Sequence, residues 1–191
     1  MSDKVETIRL QAPFTEGEAR ALKSGQRILL SGEIYSLRDA GHKRLVELIK
    51  HGEEPPITLE NNVLYYVGPS PAKAGRALGS AGPTTSSRMD PYTPFLIKNG
   101  LRGMIGKGYR SDEVVAAMKE HGAVYFAAIG GAGALISRAI KEAEVIAWED
   151  LGTEALRRLK VENMPVTVVI DTGGNNLYEV GPHIWLTRHH D

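Results

Sequence analysis

Short runs rich in β-branched and aromatic residues alternate along this chain with amphipathic segments that carry helix start and stop signals, and this alternation leaves few folds open to it. Strands are expected at 5–10, at 27–35 with a bend at Gly32, and at 62–67, 102–108, 123–129, 141–148 and 166–171. Helices are expected at 15–22, at 45–50 behind an Asp39 cap, at 91–98 up to Asn99-Gly100, at 111–122 between Ser111 or Asp112 and Gly122, and at 154–159. A turn at 172–176 is expected to lead into a last strand at 177–180, and that hairpin makes the sheet mixed. The fold class is therefore α/β. A chain of 191 residues is long enough for one substantial core, so one domain over 1–191 is expected.

Charge and cysteine usage remove several classes of function. The 23 basic and 23 acidic residues are interspersed, which disfavours a nucleic-acid-binding face but leaves room for a local positive pocket. There is no cysteine. Disulfides and thiolate catalysis are excluded, and so is an iron–sulfur cluster held by this chain's own thiolates. The six histidines have no metal-site spacing. No apolar run approaches a membrane span and the first ten residues lack a signal-peptide core, so a cytoplasmic location is expected, with no membrane partner.

One stretch, 79–90, packs small residues, four consecutive hydroxyls (Thr84, Thr85, Ser86, Ser87) and Arg88 ahead of a helical segment. Glycines let backbone approach a ligand, hydroxyls rotate to donate, and a guanidinium offers a fork suited to carboxylate or phosphate. A turn that merely caps a helix fits the same residues. Arg38 falls at a strand-to-helix junction, where ligands of α/β sheets bind; a surface pair with Asp39 or Glu33 is the plainer reading. Lys107 stands between two glycines at a strand end and is a candidate anion ligand. That loop is not a Walker A motif, since Leu101 and Gly108 occupy two of its defining positions. The run 130–136 misses a dinucleotide fingerprint at Ile136. The long connection 68–83 ends in the hydroxyl stretch, which points to function, and its glycines and prolines predict mobility in the isolated chain.

Taken together, Gly82-Pro83-Thr84-Thr85-Ser86-Ser87-Arg88-Met89-Asp90, Arg38-Asp39-Ala40-Gly41-His42-Lys43-Arg44, Ile105-Gly106-Lys107-Gly108 and Glu149-Asp150-Leu151-Gly152-Thr153-Glu154-Ala155 resemble the β subunit of the iron–sulfur hydro-lyases, the class I fumarases and L-tartrate dehydratases. The resemblance covers nearly the whole chain, with its segments in order. It implies a swivelling β/β/α domain with a mixed sheet, and reversible addition of water to a dicarboxylate. It implies that Arg38, Arg88 and Lys107 bind substrate carboxylates. Thr84 would be the catalytic proton-transfer residue, poised by an aspartate of the α subunit, and Thr85 a further substrate contact. A 4Fe-4S cluster would be held by the partner α subunit and not by this chain. The chain begins near that domain's own start, so a separate α polypeptide and an α2β2 assembly are expected. Fumarate and (S)-malate are the expected substrates, with L-tartrate dehydration the alternative. A non-catalytic dicarboxylate-binding module, or a self-sufficient phosphate-binding enzyme, would use the same residues differently. The resemblance gives no role to His42, Ser86, Ser87 or Asp90; Asp90 is expected to pair with a neighbour or steady the turn.

Overall fold

The computed structural model describes residues 7–72, 75, 77–128 and 133–179. Its hub is β2 (Arg27–Ser36). Along one edge of β2, β1 (Thr7–Ala12) pairs in parallel with residues 27–32, and β3 (Val63–Tyr65) takes over at Tyr35 and Ser36. Next in parallel come β4 (Gly103–Gly106) and β5 (Val124–Ala128). The 15-residue β7 (Leu156–Ile170) runs antiparallel to β5, to β2 and to β6 (Ile140–Ala147). Pairing therefore returns on itself through β2, β3, β4, β5 and β7, which curls the seven-stranded sheet closed.

At β3, β4 and β5 both faces of the sheet are buried, because alternate residues on a strand serve different cores. Val63, Tyr65 and Val67, with Ile105, Val124, Phe126, Leu159 and Val168, fill the inside of the curl. Leu64, Tyr66, Met104 and Tyr125 face outward onto Leu45 and Val46 of α2 (Asp39–Lys50), Leu96 and Ile97 of α3 (Thr93–Lys98), and Val114 and Met118 of α4 (Asp112–His121). The remaining helices are α1 (Glu16–Ala21), closed by a Thr15–Glu18 capping box, and α5 (Gly133–Ala139). Gly32 supplies the bend expected in β2: its φ is +110°, the β2–β7 register shifts there, and an added Cβ would lie 2.1 Å from the Ala12 carbonyl.

The α/β class and the mixed sheet agree with the sequence reading, but four local expectations are corrected. The sheet is mixed because of β7. Residues 172–176 do turn, gathered by the Asp171 carboxylate, which accepts from the Gly173 and Asn175 amides at 2.9 and 3.1 Å; yet after an Ile170–Asn176 bridge, residues 177–179 are helical. Residues 156–159 belong to β7 rather than to a helix: Leu156 and Leu159 mimic helical spacing, but Leu159 and Val161 alternate as strand residues do. Asp39 is the first residue of α2 and not its cap; Arg38 holds the cap position without a side-chain bond. The helix expected at 91–98 is present as α3, starting at Thr93, and the hydroxyl stretch ahead of it forms a 3-10 turn over Ser86–Met89.

Residues 73, 74 and 76, within the connection expected to be mobile, lie outside the described residues, as do Ile129 of the strand expected at 123–129, residues 130–132 of the run that misses the dinucleotide fingerprint, and Val180 of the last expected strand. On the described flanks, Ser70 and Ser80 exchange hydrogen bonds, and the Tyr65 hydroxyl donates to the Ala81 carbonyl. Among the described residues, no helix is long and apolar enough to cross a membrane.

Candidate functional site

Because β2, β3 and β4 are parallel neighbours, their C-terminal ends lie side by side, and the loops leaving them carry the expected site residues. Arg38 follows β2. The Thr84 amide donates to the Tyr66 carbonyl just past β3, at 2.7 Å. Thr85 bridges in parallel to Lys107, just past β4, where the Ser86 amide donates to the Lys107 carbonyl at 2.9 Å and the Lys107 amide donates to Ser86 Oγ at 3.1 Å. Arg88 sits in the 3-10 turn that follows. Arg38, Thr84, Thr85, Arg88 and Lys107 are thus gathered at one end of the sheet.

Ser86, to which the sequence assigned no role, is the pin of this arrangement. It is fully buried, and its hydroxyl is 2.9 Å from that of Tyr125, which donates to the Gly108 carbonyl at 3.0 Å. Gly106 leaves the space for it: an added Cβ would stand 1.9 Å from Ser86 Oγ and 3.0 Å from the Tyr66 ring. We expect Gly106→Ala to cost about 2–3 kcal/mol, as overpacked cores do. Chemical denaturation checks this, and a loss below half a kilocalorie per mole, roughly the effect of an ordinary surface change, would remove the pin.

The arginines carry their own carboxylates. Arg88, half-exposed, pairs with Asp39 Oδ2 at 2.5 Å. Arg38 faces Glu154 Oε1 at 3.5 Å, and its other side lies against Gly68, where an added Cβ would be 2.7 Å from Nη1. Lys107 is exposed and has no ion pair among the described residues. The plainer reading of Arg38 named two partners, Asp39 and Glu33. Neither is its partner; Glu154, distant in sequence, is.

Four buried side-chain polar atoms among the described residues lack a partner: Ser36 Oγ, Arg38 Nε, Asp39 Oδ1 and His42 Nε2. All belong to the β2–α2 junction. Such atoms cost stability, and their concentration in seven residues marks a place where the fold is not optimised for stability alone.

His42 is fully buried, with its ring edge-on to Tyr66 at 5.2 Å. A carbonyl only accepts, so the Nδ1 that lies 2.8 Å from the Arg38 carbonyl carries the proton and Nε2 is bare. Burial pushes the imidazole down to about 4, against the raising effect of that hydrogen bond. The folded value lies below the ordinary 6.5, so on acidification the unfolded state binds the proton first. His42's contribution is complete above about pH 6.5 and is lost as pH falls towards 4, by up to about 3 kcal/mol. His42→Gln, which can still donate to the Arg38 carbonyl, should flatten stability between pH 6.5 and 4.5 in urea titrations; an unchanged slope would contradict the assignment.

Arg110 is the largest feature that sequence reasoning missed. Its side chain is fully buried, with Nε 2.7 Å from Asp90 Oδ1, Nη2 2.9 Å from Thr93 Oγ1, and the guanidinium carbon 5.3 and 5.0 Å from the Tyr66 and Tyr125 ring centres. Burial works against its charge, but Tyr66, Asp90 and Tyr125 outweigh that and raise its pKa. Asp90 also accepts from the Ser111 amide at 2.7 Å, so it both pairs with a neighbour and steadies the turn, as expected. No spacing in the sequence marks Arg110; an aspartate left without a role was the only trace.

Comparison with known proteins places this chain among relatives of one family. The family model described as "Fumarase C-terminus" matches residues 1–181. The protein "Fumarate hydratase class I, anaerobic" of Escherichia coli is 39% identical over 155 residues, 80% of this chain and 28% of its own length. "Fumarate hydratase 2" of Leishmania major is 37% identical over 156 residues, again 28% of its length. This chain thus spans little more than a quarter of these relatives. A Methanocaldococcus jannaschii protein named "Putative L(+)-tartrate dehydratase subunit beta" is 34% identical over 172 residues, covering 87% of this chain and 88% of that one. With the family model matching residues 1–181 of this chain and a relative of the same extent beside it, the chain belongs to the family described as Fumarase C-terminus.

Proposed function

We propose that this chain, as one domain over residues 1–191, is the β subunit of a two-subunit hydro-lyase that interconverts fumarate and (S)-malate. The observation that supports the reading is that the backbone segments carrying Arg38, Thr84, Arg88 and Lys107 lie together at the ends of β2, β3 and β4. A malate-like substrate is a dianion, and removal of a proton next to a carboxylate adds charge. Fixed cations stabilise that extra charge more than the ground state. Arg38, Arg88 and Lys107 bind the carboxylates, Thr85 contacts the substrate, and Thr84 transfers the proton. A threonine hydroxyl is a poor base unaided, and we assign its activation to an aspartate of the partner.

With no cysteine, the residues of this chain do not fit a 4Fe-4S cluster. We assign the cluster to a cytoplasmic α subunit, in an α2β2 assembly. Tartrate dehydration is the second reading, favoured by the Methanocaldococcus jannaschii relative, which matches at nearly its full length.

The test is to combine the chain with a cluster-bearing α partner, without oxygen, and to assay fumarate, (S)-malate and L-tartrate. Activity is expected only from the mixture. Turnover by this chain alone would overturn the reading, and preference for L-tartrate would select the second.

A further inference from the structure

We infer that Glu154 is a positioning residue that holds Arg38 ready for a substrate carboxylate; this rests on the proposed role of Arg38. Glu154 ends the 3-10 turn Glu149–Glu154, a conspicuous stretch of the sequence that the site has so far left without a task. Its two carboxylate oxygens are divided. Oε1 faces Arg38 Nη2 at 3.5 Å, and Oε2 accepts the Ala40 amide at 3.0 Å. Arg38, the cap residue of α2, offers that helix no side-chain bond, so Glu154 caps its first turn from 114 residues away. One turn further along α2, Arg44 makes a two-pronged pair with Asp150 at 2.9 and 2.8 Å, which fixes the 3-10 turn against the helix.

Arg38 therefore lies in a slot, with the Gly68 backbone on one side and a clamped carboxylate on the other. Both partners of the pair are about one-fifth exposed, so the contact is sheltered, and Arg38 Nε is buried with no hydrogen-bond partner among the described residues. A free arginine side chain would not leave that donor dry; this one is held there. Freezing a long side chain before the ligand arrives removes an ordering cost from binding.

The sign of one measurement separates positioning from simple charge. If Glu154 only competed for the guanidinium, neutralising it would strengthen binding of a dianion. If it positions Arg38, neutralising it weakens binding although a negative charge has gone. The probe is (S)-malate titrated into the full chain by NMR. Glu154→Gln keeps an acceptor for the Ala40 amide, and a thermal melt checks its fold. We expect its malate affinity to fall about tenfold, the scale of one lost ordering contribution. Arg38→Ala should weaken binding too, and adding Glu154→Gln to it should weaken it no further, since the glutamate acts through the arginine. The Arg38 Nε–H resonance, sharp in the parent, should broaden in Glu154→Gln. Unchanged or tighter malate binding by Glu154→Gln, full additivity in the double variant, or an unaltered Arg38 resonance would each overturn the inference. Arg38→Ala with parental affinity would instead remove the substrate role of Arg38, while the resonance would still report whether Glu154 holds it.

Discussion

Thr84→Ala should lower kcat for fumarate hydration by about a thousandfold in the complex with the α partner, the middle of the range for loss of a placed proton-transfer group. KM should move little, because the cations proposed to bind the carboxylates remain. The substitution separates chemistry from structure cleanly. What fixes residue 84 is its backbone amide on the Tyr66 carbonyl, and alanine keeps that bond. The neighbouring Thr85–Lys107 bridge and the Ser86 pin are likewise independent of the Thr84 hydroxyl. Thr84→Ser, which retains an oxygen at the same place, should recover most of the rate. Steady-state kinetics on both variants decide the matter, and turnover by the alanine variant at the parental rate would strip Thr84 of its role.

Much of this could be read from the chain because strand and helix periods are local properties. The capped α1 and α4, the bend of β2 at Gly32 and the stop after α3 at Gly100 each rest on residues within a few positions of the feature they control. What escaped was non-local. The 15-residue β7 was broken in two because Leu156 and Leu159 imitate a helix, while one of its strand partners, β2, lies more than a hundred residues away. The arginine, threonine and lysine positions were singled out through their chemistry and a resemblance spanning the chain. Their supports were not: Glu154 under Arg38, Asp39 against Arg88, and Ser86 beneath Lys107 are set by tertiary distance, to which no spacing rule applies. Asp39 is instructive. A helix-start aspartate ordinarily caps, yet here a guanidinium 49 positions away by the numbering makes the stronger offer.

The most damaging single change to the fold should be Arg110→Met, at about 3–5 kcal/mol, the usual cost of breaking a buried ion pair from one side. For a chain of this size that corresponds to a fall in Tm of roughly 10 °C. Methionine fills much of the same volume, so the loss reports charge and hydrogen bonds rather than a void. It removes the bonds to Asp90 and Thr93 and the cation between Tyr66 and Tyr125, and leaves Asp90, 11% exposed in its side chain, with only the Ser111 amide. If the penalty is the stranded carboxylate, Asp90→Asn should be partly restorative in the Arg110→Met background, because asparagine still accepts from Ser111 without a charge. A double variant less stable than Arg110→Met would mean that Asp90 contributes independently, and the pair would lose its place as the fold's buried tie. The consequence reaches the site by a short route. Asp90 directly follows the 3-10 turn that carries Arg88, and Tyr66 and Tyr125, between which Arg110 lies, hold the Thr84 amide and the Ser86 hydroxyl. Arg110→Met should therefore weaken (S)-malate binding at temperatures where the chain is still folded, even though residue 110 touches none of the groups proposed to meet the substrate.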